Sequence, residues 1–456
     1  MKTLLLNPPK SWNGRYVSRE EYGIGFVPTD FLPSGIFLAA AYLREKGKNA
    51  DALDADTPDV SFEGYDVVVG WVCIFHSFYE DIQLLKKAKE AGKRTVMVLN
   101  DAYDGLEMEA MQRYDFIDAS VRLWEREIVI DKLLSTWEVN ETPDFPGVIY
   151  RKGEELVDTG RMPFLPTLEH LPSCSEVFKE TNLRRYKSAA ITSGRGCPMS
   201  HPFCLYRRSG LRRRKVQDVV SELEIIAESI RDIMFIEVSM PATPKWMEEF
   251  CDLLIERNIR VSWRIDAKEW DCKPDTLQKL KRAGCDAIML AVLTLDIETK
   301  GKARAVTSPQ QLKTAIENLK TVGIVPIPVF HVGFPWDSNE TMMRIEDFLR
   351  HTPAPSFILK QFRPWEETPL YEECRNLGLV KKELGIDDYV SSDYPLIDTL
   401  HLSRQEVEDW KHRIQSSAVL NHRYIWSFLR ERGLPSPKQV GEFLRLAVGR
   451  KQGSGV

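Results

Sequence analysis

The sequence predicts an α/β protein in three parts: an N-terminal doubly wound, Rossmann-like domain, then a partial (β/α)6 TIM-like barrel, then a small helical C-terminal region. Three observations predict it. Short, doubly apolar strands alternate with longer amphipathic stretches in two separate series, with a Pro-rich interval between them. The chain has 456 residues, enough for two or three cores. Hydrophobic residues at 43% and charged residues at 28% are globular values that exclude disorder.

The first series, 1–140, opens with KTLLLN. This reads as a buried strand and not as a signal peptide, because prolines follow where small cleavage-site residues would stand. Next come the helix GIFLAAAYLREKG, strands NADALDAD and DVVVGWVC, helix YEDIQLLKKAKEAG, strand RTVMVLN, and the units DFIDASVR and EREIVIDKLLSTW. Residues 141–186 hold several turn signals and one hairpin, and read as a linker wrapping between domains. The second series, 187–378, gives strands SAAITSG, IMFIEVS, VSWRID, AIMLAVL, VPIPVFHVG and SFILKQFRP, separated by helical stretches such as VVSELEIIAESI and SPQQLKTAIENLKTVG. Such a barrel places chemistry at the C-terminal ends of its strands. Residues 379–450 read as charged helices packed on the barrel, and 451–456 as a disordered tail.

A net charge of −5 gives no general attraction to nucleic acid or an anionic membrane, and no apolar run is long enough to cross a bilayer. One basic run, Arg207, Arg208, Arg212, Arg213, Arg214 and Lys215, reads as a solvated helix start, or else as a patch for phosphates or carboxylates. The eight cysteines are scattered and fit free thiols in a reducing, cytoplasmic compartment. Cys197 and Cys204 alone sit close enough to share a site.

These two lie in SGRGCPMSHPFCLYR, after the first barrel strand, where Cys197, His201 and Cys204 are spaced C-x3-H-x2-C. Thiolates and an imidazole in a proline-shaped loop can converge on one metal ion or one cluster. His201 is either a ligand or a bystander that replaced one. Two thiolates and an imidazole with an open fourth position also describe a catalytic zinc site.

The segment resembles the radical S-adenosylmethionine (SAM) superfamily, whose signature in this position is C-x3-C-x2-C with an aromatic residue before the last cysteine. Cys197, Phe203 and Cys204 match, as do the leading RGCP and the basic stretch that follows, whereas His201 stands where the family has its second cysteine. The resemblance implies a 4Fe-4S cluster that chelates SAM and splits it to a deoxyadenosyl radical. The layout LNPP, LPSGIFLAAAYLREKG and LDAD looks like the cobalamin-binding domain of one large subclass, and QFRPWEETPLYEE resembles that subclass's end-of-barrel segment. By resemblance, Phe203, Glu237, Arg264, Asp266, Gly333 and Pro335 line the SAM pocket, and Pro9, Ser34, Gly35, Asn100 and Asp101 lie beside cobalamin. Arg264 and Asp266 read equally well as an internal barrel ion pair.

Several positions depart from the family pattern. Asn100 and Asp101 replace a paired glycine, Leu123 and Trp124 replace a glycine and acid pair, and Leu293 replaces an acid facing the cofactor. Glu237 persists without its acidic neighbour, and His76 reads as a polar loop residue. The resemblance implies cobalamin-dependent methyl transfer, or related radical chemistry, on a small metabolite. It also implies an electron donor such as flavodoxin or ferredoxin, with no nucleic-acid or membrane partner. A cluster ligated by His201 in place of a thiolate would have a raised reduction potential, as in Rieske centres. The alternatives are a divergent binding or scaffold protein without radical activity, a Cys2His zinc enzyme, and an enzyme that keeps the cluster and SAM but drops cobalamin.

Overall fold

The computed structural model describes residues 1–419 except 10, 13–14, 17–30, 75–76, 101–103, 123–124, 208, 236–242, 297–300, 304–307, 353, 355 and 391–393. His76, Asp101, Leu123, Trp124, Arg208, Glu237, the side chain of Asn100 and everything from residue 420, including the expected tail, lie outside the described residues.

Among the described residues there are two seven-stranded sheets. In the first, Asn49–Asp54, Lys2–Asn7, Val67–Cys73, Arg94–Asn100 and Ala119–Val121 run parallel, side by side in that order. This is the doubly wound order 2-1-3-4-5, with its switch point between Lys2–Asn7 and Val67–Cys73. The antiparallel strands Val148–Lys152 and Glu155–Asp158 complete the sheet. They are the hairpin expected within 141–186, so part of that segment continues the first sheet and is more than a linker. Val148, Ile149 and Tyr150 are buried there, and their backbone groups need the ladder.

The second sheet runs Ser188–Ile191, Asp232–Phe235, Ser262–Ala267, Cys285–Leu293, Val325–Val332 and Ile358–Gln361, all parallel and in chain order, and its edges do not meet. This is the partial six-stranded barrel. A seventh strand, Phe31–Pro33, pairs with Ser188–Ala190. It immediately precedes the helix Ser34–Glu45, whose Ile36, Phe37 and Leu38 enter one continuous core with Leu5 and Val69 of the first sheet and Ile191 and Ile233 of the second. The two domains therefore share a core. A chain that reads as first domain supplies the barrel's edge strand, where a proline costs no ladder bond.

Met234, Ala287, Met289, Val325, Ile327 and Ile358 fill the barrel toward the N-terminal ends of its strands, which leaves the C-terminal ends for polar groups. Of the C-terminal region, Arg404–Val419 packs on Asn339–His351 through a 2.7 Å bond from Trp410 Nε1 to Asn339 Oδ1 and a 2.9 Å pair between Arg413 and Glu346. The short helix Ile386–Val390 instead meets the first domain through Arg113 and Asp387, 2.9 Å apart. No helix among the described residues is long and apolar enough to cross a membrane.

Candidate active site around the Cys197–Cys204 loop

The loop hangs from a short antiparallel ladder, Gly194–Arg195 against Arg212–Arg213. Gly196, at φ +85°, closes the base: a Cβ there would lie 1.7 Å from the carbonyl oxygen of Gly210, so only glycine fits. Inside the loop, Cys197 N donates to Ser209 Oγ at 3.1 Å, Met199 N to Cys197 Sγ at 3.4 Å, and Cys204 N to the His201 carbonyl at 3.2 Å.

All eight cysteines are free thiols. Burial raises the Cys197 thiol and pushes that of Cys204 up to about 11. Burial, reinforced by the nearby Lys268 charge, pulls His201 down to about 4. His201 is thus a neutral imidazole at neutral pH, the form that ligates metals. Its Nε2 is buried without a hydrogen-bond partner, a costly arrangement in an ordinary core and an expected one for a side chain that serves as a metal ligand. Among the described residues no three His, Cys, Asp or Glu side chains gather around one point. A mononuclear zinc ion needs such convergence, whereas a four-iron cluster takes each ligand on a separate iron. Two thiols and an orphaned imidazole spread along one loop fit the cluster.

Phe203 stacks on His201, with ring centres 5.4 Å apart and planes at 13°, and meets Phe334 edge-on at 5.3 Å. His331, 5.8 Å from Phe203, has a buried Nδ1 without a partner and is held well below its ordinary pKa by burial and then by Lys360, His201 and Lys268. Lys268, only 2% exposed, donates from Nζ to the Ala291 carbonyl at 2.5 Å. Among the described residues no carboxylate lies within ion-pair distance of it. Burial lowers its pKa, although Glu269, Cys197 and Asp266 act in the opposite direction.

Sequence reasoning missed both Lys268 and His331. The available signals were a histidine in the otherwise apolar VPIPVFHV and a lysine just past the end of the SWRIDA strand.

Leu293 is buried at φ +70°, where the pairing register slips beside Ala291. A leucine in the left-handed region is strained, and here it fills the place of the expected acid.

The expected pocket residues divide. Asp266 sits within electrostatic reach of Cys197 and Lys268. Arg264 does not join it: its guanidinium pairs with Asp232, the first residue of the neighbouring strand, away from the loop. An internal ion pair is the outcome for Arg264, with Asp232 and not Asp266 as partner. Gly333, at φ +88°, and Phe334 both donate backbone N–H to Asp337 Oδ2, at 2.9 and 3.0 Å, and Pro335 accepts from Leu400 N at 2.8 Å. This turn fixes Phe334 against Phe203. On the first domain, Pro9 follows the central strand at the switch point, Ser34 Oγ lies 3.1 Å from Thr192 Oγ1 of the barrel, and Gly35 faces Trp71. Pro9, Ser34 and Gly35 therefore lie at the rim where a doubly wound sheet receives its ligand.

Of the basic run, Arg212 and Arg214 prove to be internal and Arg213 half-buried, while Lys215 is exposed. Arg212 pairs with Glu125, Arg213 bonds Ser193 and Thr243, and Arg214 pairs with Glu222 at 2.5 Å while donating to the carbonyls of Thr192 and Pro172. Arg212 and Arg214 are thus neither a solvated helix start nor an open anion patch, because Glu125 and Glu222 meet their guanidiniums inside the fold.

The model of the Radical SAM superfamily matches residues 191–349. The chain carries a radical SAM domain. That domain takes in Cys197, His201 and Cys204 together with Asp266, Lys268, Leu293, His331 and Gly333. An uncharacterized methyltransferase of Pyrococcus horikoshii is 22% identical over 95% of this chain and 94% of its own. The anaerobic magnesium-protoporphyrin IX monomethyl ester cyclase of Rubrivivax gelatinosus is 25% identical over 76% of this chain and 67% of its own. Among solved structures, the radical SAM methyltransferase TsrM from Kitasatospora setae, with cobalamin and a [4Fe-4S] cluster bound, superposes with TM-score 0.68 at 13% identity, covering 92% of this chain and 88% of that one. The radical SAM domain and the doubly wound domain before it thus share the TsrM fold.

Proposed function

We propose that the chain is a radical SAM enzyme that transfers a methyl group to a small metabolite by way of cobalamin, or performs closely related radical chemistry. The observation that carries the reading is the donor set of the loop: two free thiols and a neutral imidazole with an unpartnered, buried Nε2. The methyltransferase name of the Pyrococcus horikoshii relative and the cobalamin and cluster bound to TsrM support it.

In this reading Cys197, His201 and Cys204 hold the cluster, which when bound supplies the electron that cleaves the SAM sulfonium. The chain does the rest. Phe203, Phe334 and Phe362 pack ring to ring as an aromatic wall beside His201. Lys268 has donors beyond its single bond to Ala291, available to an anionic group of a bound molecule. Gly333 and Asp337 hold the far wall in place. Asp266 and, outside the described residues, Glu237 would face the SAM amino acid end. Pro9, Ser34, Gly35, Asn100 and Asp101 would border cobalamin. The reading includes a cytoplasmic location, a flavodoxin- or ferredoxin-like electron donor, and no nucleic-acid or membrane partner.

The test is anaerobic reconstitution of the full chain with iron and sulfide, followed by electron paramagnetic resonance with and without SAM. About four irons per chain and a spectrum that changes on adding SAM are expected. Absence of iron uptake would overturn the reading and leave a binding protein, the alternative that Leu293 in the place of an acid favours. Cobalt retained after incubation with hydroxocobalamin separates the methyl-transfer reading from one without cobalamin.

A further inference from the structure

The base of the metal-binding loop is gripped from the other domain. The segment after the Ala119–Val121 strand carries Glu125 and Glu127, both fully buried, at the start of the helix Arg126–Glu138. Glu127 receives both ends of the Arg195 guanidinium, Nη1 at 2.9 Å and Nη2 on its other oxygen. Glu125 takes Arg212, a second bond from Arg195 Nη1 at 3.4 Å, and the backbone N–H of Leu165 at 3.4 Å. Arg195 and Arg212 face each other across the ladder that closes the loop, one residue outside Gly196 on one side and two outside Gly210 on the other. Each carboxylate thus holds one side of the loop's neck.

Burying two carboxylates and two guanidiniums is expensive, and apolar side chains of similar volume often stabilise a fold as well or better. Such groups do fix geometry, since a bidentate guanidinium–carboxylate pair sets both distance and plane. Glu125 also sits at φ +51°, a left-handed conformation that a non-glycine residue adopts only under constraint. The constrained residue stands at the C-terminal rim of the first sheet, where ligands of this topology bind, and its side chain reaches the neck of the barrel's metal-binding loop.

We propose that Glu125 and Glu127 are positioning residues that set the placement of the Cys197–Cys204 loop from the rim of the first domain. The clamp couples the two rims: a shift of the helix start at Glu125 moves the neck of the loop, and with it the donors. The inference rests on the reading of that loop as the metal-binding one, but part of its test needs no metal.

Three variants of the full chain decide it. Glu127→Gln keeps the shape and removes the charge. Glu127→Gln with Arg195→Met leaves no charge stranded at that pair. Leu133→Ala opens the buried face of the same helix without touching the clamp. With reconstituted protein, the clamp variants are expected to keep their iron while needing about tenfold more SAM for the half-maximal spectral change. Without metal, amide exchange across 194–213 is expected to quicken by about tenfold in both, with Leu133→Ala near wild type on both measures. Clamp variants that match wild type in the SAM response and in exchange would overturn the proposal. So would loss of fold in both clamp variants while Leu133→Ala folds, which would assign the carboxylates a purely structural role. Should wild type take up no iron, the radical reading fails, and the exchange measurement still decides the clamp.

Discussion

At the base of the Cys197–Cys204 loop, Arg195, Arg212 and Arg214 lie in the interior and each meets a carboxylate. Inside the barrel, Lys268 is as deeply buried and has one hydrogen bond, to a backbone carbonyl, with the Trp270 ring 5.8 Å from its Nζ. The contrast follows from the two side chains. A guanidinium is planar, always charged and forked, so it suits a fixed pair, whereas an ammonium is a compact charge that shifts its pKa when desolvated. Each guanidinium of the base has its carboxylate, although Arg212 Nε and Nη2 and Arg214 Nε are buried without a hydrogen-bond partner. The interior still has a cation with unused donors, beside an imidazole whose Nε2 has no partner. One region is built to stay put, and the other to be finished by what it binds.

The comparison predicts opposite signs for removing the two kinds of cation. Arg214→Met strands the buried Glu222 carboxylate, to which the Cys174 N–H still donates at 2.6 Å. A loss of about 3–5 kcal/mol is expected, read from urea denaturation of the metal-free protein. A loss under about 1 kcal/mol would mean that the base does not depend on its ion pairs.

The next largest effect lies in acid. Burial acts to raise the Glu127 carboxyl, but Arg195 overrides it and holds it at about 2 against an ordinary 4.5. A carboxyl lowered on folding contributes fully above about pH 4.5, and that contribution is lost as pH falls toward about 2. On the order of 3 kcal/mol should disappear across this window in wild type. Glu127→Gln should flatten the acid limb of the stability curve. An unchanged limb would place the acid sensitivity in other carboxylates and weaken the claim that the base is held by charge.

Sequence legibility divides along the same line. Alternating apolar strands and amphipathic helices revealed both sheets because that periodicity is local. The spacing of Cys197, His201 and Cys204 revealed the loop for the same reason. The edge strand Phe31–Pro33 was not legible: three residues before a helix carry no mark of which sheet they join. Within the basic run, Arg212 was misread because its carboxylate, Glu125, comes from 87 residues away, and Arg214 because the pattern does not show that Glu222, eight residues on, turns back inside the fold to meet it. Arg264 was placed on the right strand, but a strand pattern does not say toward which end a long side chain leans, and it leans to Asp232. Lys268 stood just past a strand whose pattern says nothing of how deeply the next residue is buried.

The smallest predicted effect sharpens the comparison most. Lys268→Met keeps a flexible, unbranched side chain while removing the ammonium. With no carboxylate to strand, the ligand-free protein should gain about 1 kcal/mol, again by urea denaturation. The pH dependence carries the same sign. Burial lowers the Lys268 pKa below the ordinary 10.5, so the unfolded chain binds the proton more tightly than the fold does. Wild-type stability should therefore rise as pH climbs from the lowered folded pKa toward 10.5, and Lys268→Met should lose that slope. The gain should be accompanied by weaker binding of SAM, because the donors left over from Ala291 are gone. If Lys268→Met instead costs stability as Arg214→Met does, the single bond to the Ala291 carbonyl at the Leu293 bulge is an anchor. The cation would then be as settled as those of the base, and the unpartnered His201 Nε2 and His331 Nδ1 would mark where a ligand completes the site.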